Sequence, residues 1–445
     1  MTIDRFGAER SPQDITVAQN RSGWRNWFRI FGPGLVTGAS DDDPSGIATY
    51  SQAGAQYGLG LVWVALVTLP LMAGVQEICD RTALATGRGL GELARTKFRG
   101  KIRPILALLI VTLIIANALN IAADLVAIGS GMNLLHAGPV WVWALIAGML
   151  ITGLVVWGSF DQIARVFKLL CLALLSYFGV LFAVHVNWSQ VATHTLVPHI
   201  TFSKGFIALL VAVLGTTISP YLFFWQSTHR LEEMRDEPEG GDRALPLRLR
   251  SIRNASLKER TSRIDVFFGM TFSNLVMFAI IVAAASTLHG KAINSAADAA
   301  AALQPIAGKW ASDLFAIGFI GTGMLAVPVL AGSGAAGMAG LLGRPSGFSR
   351  SMRKAPVFYG LVIIGTVGGT VLSLVSVNPI RLLLIVAVIN GIAAAPFLLL
   401  VMLISSDKTI MGKYRNGRLA SFIGWTTFAL MTIAALALLA QTLGL

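Results

Sequence analysis

Two short polar motifs interrupt long apolar runs of this sequence and carry its best-placed oxygen ligands. They are residues 38–46 (GASDDDPSG) and residues 215–220 (GTTISP). A proline lacks a backbone N–H and disfavours helical geometry in the residue before it, so we expect a helix to open at Pro44 and another at Pro220. Inside a bilayer, non-helical backbone is tolerated only where it lines a cavity or is buried in protein. The two breaks therefore predict a transport site at the middle of a membrane.

The side chains of these motifs supply oxygen ligands only, which predicts a hard divalent cation at the site. Asp43 directly precedes Pro44, so we expect its carboxylate where the first helix opens, while Ser45 and Gly46 ease the return to helix. A carboxylate near the bilayer centre is costly unless it is compensated, and no Lys or Arg is predicted at that depth. A bound metal ion is the predicted counter-charge. Oxygen ligands suit Mg²⁺, Mn²⁺ or Ca²⁺ more than zinc, copper or iron.

The predicted metal ligands come from both breaks and from one later run. They are Asp43, Asp42, Ser40, Thr216, Ser219 and Asn390, with Pro44, Ser45, Gly46 and Pro220 shaping the breaks. Three adjacent positions do not all face one site in a helix, so which of Asp41, Asp42 and Asp43 contact the ion stays open. Two alternatives also stay open. In the first, the Asp residues lie at a water-exposed helix end, or are protonated and bonded to backbone, and do not bind metal. In the second, Asn390 is an amide that packs between helices and not a metal ligand.

The composition is that of an integral membrane protein. Hydrophobic residues make up 55% of the 445 residues and charged residues 13%, against roughly 25% charged residues in soluble proteins. Apolar runs of about 20 residues are long enough to cross a bilayer. The sequence contains eleven of them, with approximate bounds 30–58, 60–80, 104–134, 139–159, 162–187, 205–228, 264–286, 311–341, 355–376, 378–404 and 418–442.

The positive charges predict the orientation of these runs. If the N-terminus is cytoplasmic, 31 of the 35 Lys and Arg residues fall in the tail and the cytoplasmic loops, as the positive-inside rule requires. The net charge of +13 is then a topological signal, and its distribution over separate loops excludes a nucleic-acid partner. We expect a multi-pass protein of a bacterial inner membrane, with its N-terminus cytoplasmic, its C-terminus outside and the lipid bilayer around it. The oligomeric state stays open, and a monomer is sufficient for the predicted function.

The positions of the breaks predict two inverted halves. They lie in the first and sixth runs, and a repeat of five helices places its second copy upside down. The predicted organisation is a cytoplasmic tail (1–29), a first five-helix repeat (30–187), a second five-helix repeat (205–404) with a cytoplasmic loop (229–263), and an eleventh helix (418–442).

Two further carboxylates are candidates for coupling or gating. Asp124 is an ionisable group inside a predicted span, and Glu77 lies near the cytoplasmic end of the second span, where we expect it to pair with Arg81 or Arg88. No His or Cys is predicted at the same depth as these carboxylates, so an enzyme is not expected. No cofactor is predicted, and the divalent metal ion is a substrate.

Several of these residues resemble the Nramp family of divalent metal transporters. The similar segments are Gly32-Pro33-Gly34 with Asp43-Pro44 (the Asp-Pro-Gly-Asn signature of the first helix), Gln76, Arg81 and residues 86–90 (the end of the second), residues 123–129 (the third), and residues 219–227 (the Met-Pro-His-Asn stretch of the sixth). The resemblance implies an all-α polytopic membrane protein with a LeuT-type fold, a 5+5 inverted repeat with an eleventh helix, and alternating access.

The chain also departs from the family pattern at the residues that bind metal. Ser45-Gly46 replace Gly-Asn, Ser219 replaces the metal-binding methionine, Tyr221 replaces a histidine linked to proton movement, Ala127 replaces an acidic residue, and Val388 replaces a glutamine, with Asn390 the nearest polar residue. By this alignment Tyr221 is also a candidate for coupling or gating. The residues taken alone indicate only a packing aromatic.

These departures resemble the Nramp-related magnesium transporters, in which the methionine is missing. Replacing a sulfur ligand with serine weakens the preference for soft and borderline metals. The implied function is a secondary-type transporter that carries Mg²⁺, and Mn²⁺ as a second ion, by alternating access with little proton coupling. The alternatives are a proton-coupled Nramp importer of Mn²⁺ and Fe²⁺, and a sodium-coupled organic-solute symporter of LeuT fold.

Overall fold

Helices account for nearly all of the regular structure. The computed structural model describes residues 33–98, 100, 102–157, 175–238, 240, 241, 243–375 and 378–443, and no strand occurs among them. The predicted cytoplasmic tail (1–29) lies outside the described residues. So do residues 162–174 of the predicted fifth run, which include Cys171.

Fifteen helices of eight residues or more lie within these described ranges. In chain order they are α1 (Pro33–Asp41), α2 (Pro44–Tyr57), α3 (Trp63–Thr86), α4 (Leu90–Lys97), α5 (Ile102–Leu134), α6 (Val140–Trp157), α7 (Ser176–Ala183), α8 (Trp188–Leu196), α9 (Lys204–Thr217), α10 (Pro220–Asp236), α11 (Ile252–Thr287), α12 (Ala311–Leu342), α13 (Pro356–Ser373), α14 (Pro379–Ser405) and α15 (Arg418–Leu443).

Nine stretches of the described residues are long and apolar enough to cross a membrane. They correspond to the second to fourth and the sixth to eleventh predicted runs, with α9 and α10 together forming the sixth. The first run is divided into α1 and α2, which have 9 and 14 residues. Of the fifth, only the part from residue 175 onward is described, where α7 lies.

Both flanking helices extend into the segment 229–263, which was predicted as a cytoplasmic loop. α10 continues to Asp236 and α11 begins at Ile252. The charged residues that indicated a loop pair with one another between the helices. Lys258 Nζ lies 2.9 Å from Glu233 Oε2 and 2.6 Å from Glu237 Oε1.

Glycines bring both halves of the first span into backbone contact with α11. A Cβ at Gly34 would lie 2.5 Å from the carbonyl oxygen of Asp265, and one at Gly38 would lie 2.2 Å from that of Gly269. Gly54 of α2 meets the α11 backbone in the same way, at 2.3 Å. Small residues allow this close approach of helices in lipid. α11 therefore supports the interrupted helix on both sides of its break.

A second close contact places the other break beside α14. A Cβ at Gly215, near the end of α9, would lie 2.2 Å from the carbonyl oxygen of Ala387 and 2.3 Å from the backbone nitrogen of Gly391. α9 and α14 thus cross backbone to backbone just before the chain leaves helix at residue 218.

Candidate functional site

Each break is two residues long. Asp42 and Asp43 separate α1 from α2, and Ile218 and Ser219 separate α9 from α10. In both cases a proline is the first residue of the following helix, where the missing N–H costs no helical hydrogen bond. Ser45 and Gly46 lie within the first turn of α2 rather than in the break.

Asp43 is buried, and its carboxylate contacts both interrupted spans. Its Oδ1 accepts hydrogen bonds from the Ser45 hydroxyl at 2.6 Å and from the Gly46 N–H at 2.9 Å. Its Oδ2 accepts one from the Tyr221 hydroxyl of α10 at 3.4 Å. A carboxylate at a helix N-terminus is stabilised by the free N–H groups and by the helix dipole. The negative charge of Asp43 is therefore held where the two breaks meet.

Thr216 and Ser219 bring oxygen atoms of the second break toward the first. The Thr216 hydroxyl lies 3.4 Å from the Ser45 hydroxyl. The Ser219 hydroxyl donates to the carbonyl oxygens of Gly215 at 2.6 Å and Thr216 at 3.1 Å, so its lone pairs remain available as acceptors.

Ser40 faces the site with its backbone rather than its side chain. Its hydroxyl donates to the carbonyl oxygen of Val36 at 2.7 Å within α1. Its own carbonyl oxygen accepts a hydrogen bond from the Tyr221 hydroxyl at 3.2 Å. Tyr221 therefore contacts two predicted ligands, Ser40 and Asp43, which packing alone does not require.

Asp41 and Asp42 face α11 instead of the second break. The Ser273 hydroxyl lies 2.6 Å from Asp41 Oδ2 and 3.3 Å from Asp42 Oδ1. The other carboxylate oxygen of each has no hydrogen-bond partner in the described part of the chain. The sequence reasoning missed Ser273. Its only signal was that Ser273 and Asn274 interrupt the apolar seventh run.

Asn390 and Asp124 are buried polar groups without partners. Neither amide atom of Asn390 and neither carboxylate oxygen of Asp124 has a hydrogen-bond partner among the described residues. Asn390 precedes Gly391, which touches the end of α9, so it lies near the second break. Asp124 lies on α5, a helix that packs against α2. A buried group without a partner costs free energy, which makes both candidates for contact with water or an ion.

Glu77 does not join these residues. Its carboxylate accepts hydrogen bonds from Arg81 Nε at 3.0 Å and Nη2 at 3.2 Å, and it lies 3.5 Å from Arg263 Nε. The predicted pairing with Arg81 is therefore present, and the structure places Glu77 in an ion-pair cluster rather than beside either break.

A buried polar cluster, which we call the inner network, ties α1 to three other helices. Arg230 Nε donates to Asp80 Oδ1 at 2.6 Å and its Nη2 donates to Asp265 Oδ2 at 3.0 Å. Gln226 donates to the same oxygen of Asp80 at 2.7 Å and accepts from the Thr37 hydroxyl at 2.5 Å.

Further bonds belong to the inner network, among them one from Arg230 Nη1 to Glu233 Oε2. The Ser262 hydroxyl donates to Asp80 Oδ2 at 2.7 Å, and the backbone N–H of Gly34 donates to Asp265 Oδ2 at 2.8 Å. The network lies toward the Lys- and Arg-rich face. It was missed because Arg230 falls in the segment predicted as a loop and nothing near Asp80 in the sequence indicates that it pairs with Arg230.

The donor set around the two breaks consists of oxygen. It contains the Asp43 carboxylate, the hydroxyls of Thr216 and Ser219, and backbone carbonyls. No group of three or more His, Cys, Asp or Glu side chains arranged to hold a metal occurs in the described part of the chain. A divalent ion at this site would therefore take most of its ligands from neutral oxygens and water.

A sequence model of the family described as "Natural resistance-associated macrophage protein-like" matches residues 34–441. The chain belongs to the Nramp family. The match covers both breaks and extends from α1 into α15. It therefore includes α11 to α15, where none of the similar sequence segments lies.

Relatives of this Nramp protein are similar over most of their length. A divalent metal cation transporter MntH of Acidiphilium cryptum is 30% identical over 407 residues, which cover 88% of this chain and 86% of the relative. The metal transporter Nramp3 of Oryza sativa is 25% identical over 430 residues, covering 93% and 74%.

Solved structures confirm the LeuT-type fold of this Nramp protein. A manganese transporter of Eremococcus coleocola superposes with a TM-score of 0.73 at 15% identity, covering 94% of this chain and 87% of that one. Mhp1, a nucleobase-cation-symport-1 family transporter, superposes with a TM-score of 0.57 at 15% identity, covering 93% of each. The predicted all-α polytopic membrane protein with a LeuT-type fold is confirmed.

Proposed function

We propose that this Nramp protein carries a divalent metal ion across the membrane by alternating access, and that Mn²⁺ is its substrate. The observation that carries the proposal is the buried Asp43 carboxylate, held at the N-terminus of α2 and in contact with α10 through Tyr221. The relatives support transport of a divalent metal rather than catalysis, since they are described as divalent metal cation and metal transporters.

The choice of Mn²⁺ rests on two independent supports. Carboxylate, carbonyl and water ligands suit Mg²⁺, Ca²⁺ and Mn²⁺, and the groups around Asp43 are of this kind. The superposed Eremococcus coleocola protein is described as a manganese transporter. These relatives favour the transition-metal importer over the magnesium transporter that the missing methionine suggested, and Mn²⁺ is the transition metal that an oxygen site accepts.

Mg²⁺ remains the second candidate because of Ser219. No sulfur ligand is present at this position, and a site with few direct protein ligands leaves room for the waters that Mg²⁺ releases reluctantly. Fe²⁺ is less favoured because the site offers no sulfur ligand. A sodium-coupled carrier of organic acids fits poorly, since Asp43 at the break would repel a substrate carboxylate.

We propose that metal entry is coupled to protons through Asp124. This carboxylate is buried on α5 with no hydrogen-bond partner among the described residues, and acidic groups within membrane spans commonly serve as proton relays. Tyr221 donates to Asp43 and is the candidate for gating. The orientation given by the positive-inside rule, with a cytoplasmic N-terminus and an outside C-terminus, is part of the same proposal.

The test is uptake of Mn²⁺, Mg²⁺ and Cd²⁺ into proteoliposomes, measured side by side while the internal pH is recorded. We expect Mn²⁺ uptake with internal acidification, weaker Mg²⁺ uptake, and loss of Mn²⁺ uptake in Asp43→Asn. Asp313→Asn removes the same charge from the start of α12 and should transport normally. If Cd²⁺ outcompetes Mn²⁺, the oxygen-only site is wrong. If Mg²⁺ at equal concentration blocks Mn²⁺ uptake, the magnesium candidate replaces manganese.

A further inference from the structure

Arginines surround one cavity at the cytoplasmic ends of the helices. The cavity has a volume of about 630 Å³. Six arginines that line it are Arg88, Arg95, Arg235, Arg243, Arg248 and Arg344. A seventh, Arg350, lines the same cavity. The one carboxylate among the described lining residues is that of Glu92. The cavity is therefore strongly positive.

Four separate segments of the chain build this cavity, and glycines fix how they meet. A Cβ at Gly87 would lie 2.8 Å from the carbonyl oxygen of Ala244, so the loop before α11 rests on the end of α3. A Cβ at Gly91 would lie 2.1 Å from the carbonyl oxygen of Gly337, which joins α4 to α12. The arginines that the sequence scatters over three cytoplasmic loops thus converge on one place.

Most of these positive charges have no counter-charge among the described residues. Arg88 pairs with Glu92, their Nε and Oε1 atoms lying 3.3 Å apart. The side chains of Arg95, Arg243, Arg248 and Arg344 form no ion pair or hydrogen bond within the described ranges.

Arg235 also lacks a carboxylate partner for its Nε atom among the described residues. It donates from Nη1 to the carbonyl oxygen of Ser346 at 3.1 Å, and its buried Nε has no hydrogen-bond partner among the described residues. The positive-inside rule explains why arginines lie on this face. It does not require them to surround a common cavity, where like charges repel one another.

We propose that this arginine pocket binds a phosphate-bearing anion. Guanidinium groups match phosphate oxygens with paired N–H donors, and several of them around one cavity neutralise its charge. Such an anion would bridge the loop before α11 to the end of α12, because Arg243 and Arg344 come from those two segments. The proposal is independent of which ion Asp43 receives.

The phosphate has two chemical sources, a membrane lipid headgroup or a free phosphate compound. Exposed apolar side chains beside the pocket fit the first source. Leu249 lines the pocket with 67% of its surface exposed, and Ile252 at the start of α11 is 85% exposed. Basic pockets at the cytoplasmic ends of membrane helices commonly receive anionic headgroups.

The experiment compares full-length protein with the double variant Arg243→Gln/Arg344→Gln. Both arginines are exposed and unpaired, so the variant should fold, which its elution profile and unfolding temperature check. The matched control is Arg353→Gln/Arg415→Gln, which removes two exposed charges from the same face but outside the pocket. Arg243→Lys/Arg344→Lys keeps the charge and loses the paired donors.

Two probes distinguish the sources. Pyrophosphate binding is measured by calorimetry in detergent, and retention of phosphatidylglycerol against phosphatidylcholine is measured by native mass spectrometry. We expect the glutamine pair to weaken binding at least tenfold, the lysine pair to fall between, and the control to change it less than twofold. Loss of phosphatidylglycerol alone assigns a lipid headgroup, and loss of pyrophosphate alone assigns a soluble phosphate. Equal loss in the control, or binding of neither probe by the parent, overturns the proposal.

Discussion

Replacing Arg230 with methionine should open the side of the protein that we propose to be cytoplasmic. Arg230 is 2% exposed and bonds to the carboxylates of Asp80 and Asp265, each 3% exposed. Methionine fills similar space but removes the guanidinium that bonds to both carboxylates. The backbone N–H of Gly34 in α1 donates to Asp265 of α11. The substitution should therefore mainly destabilise the contact between α1 and α11.

The size of the effect follows from the burial of the pair. Removing one partner of a buried ion pair costs about 3–5 kcal/mol, because the remaining charge stays desolvated. That cost falls on the arrangement in which the carboxylates are buried and is relieved when water reaches them. At about 1.4 kcal/mol per tenfold change, the equilibrium should shift toward opening by roughly 100-fold to 1,000-fold or more.

The assay is the labelling rate of a cysteine placed at Val36, a buried residue of α1, by a membrane-impermeant maleimide added to the cytoplasmic face. The background carries alanine at Cys79 and Cys171, the two native cysteines. We expect at least tenfold faster labelling in Arg230→Met than in the parent. Arg263→Gln, which removes a half-exposed charge nearby, should label as slowly as the parent.

The reasoning is refuted if Arg230→Met labels at the parental rate with an unchanged unfolding temperature. If Arg230→Met does not accumulate, the same labelling assay is carried out on Asp80→Asn. It keeps an acceptor for Gln226 and leaves Arg230 its bond to Asp265, so it should show a smaller increase in labelling in the same direction.

Three other perturbations test separate features. Gly215→Ala should lower stability by about 1–3 kcal/mol, measured by thermal unfolding, because its Cβ would overlap the backbone of Gly391; an unchanged unfolding temperature would contradict the close contact. Asp124→Asn should leave Mn²⁺ binding within a few fold but uncouple uptake from internal acidification, and full acidification would exclude it as the proton carrier. The hydrogen bond from Lys97 holds the pKa of Asp407 below its usual range, so this pair stabilises the fold above about pH 4 and less as the pH falls. Lys97→Met should therefore lower the unfolding temperature slightly at pH 7 and progressively less as the pH is lowered below about 4, and a loss that does not diminish with falling pH would rule out the ion pair.

The helical breaks were predictable because proline and its neighbours act locally. Pro44 and Pro220 fix where the following helix begins whatever surrounds them, and a run of apolar residues fixes that a span exists. The directions of the three Asp side chains were not predictable, since they depend on the register of α1 against α11. Only that packing turns Asp41 and Asp42 toward Ser273 and leaves Asp43 for Tyr221.

Polar pairs between residues far apart in the sequence could not be predicted either. Arg230 lies 150 positions from Asp80 in the sequence, and nothing in either segment indicates the other. The same holds for the arginines of the pocket, whose charges gave the orientation but not their convergence. Charge patterns report which side of a membrane a loop occupies, whereas contacts between loops are set by how the helices pack.

α10 carries Tyr221, which donates a hydrogen bond to Asp43, near one end and Arg235 of the arginine pocket near the other. Tyr221 and Arg235 are separated by roughly 20 Å at 1.5 Å per residue. If the helix tilts as a rigid body about a point near Tyr221, a small tilt becomes a larger sideways displacement at Arg235. A metal ion bound beside Asp43 and a phosphate group bound by the arginine pocket would therefore act on opposite ends of the same helix.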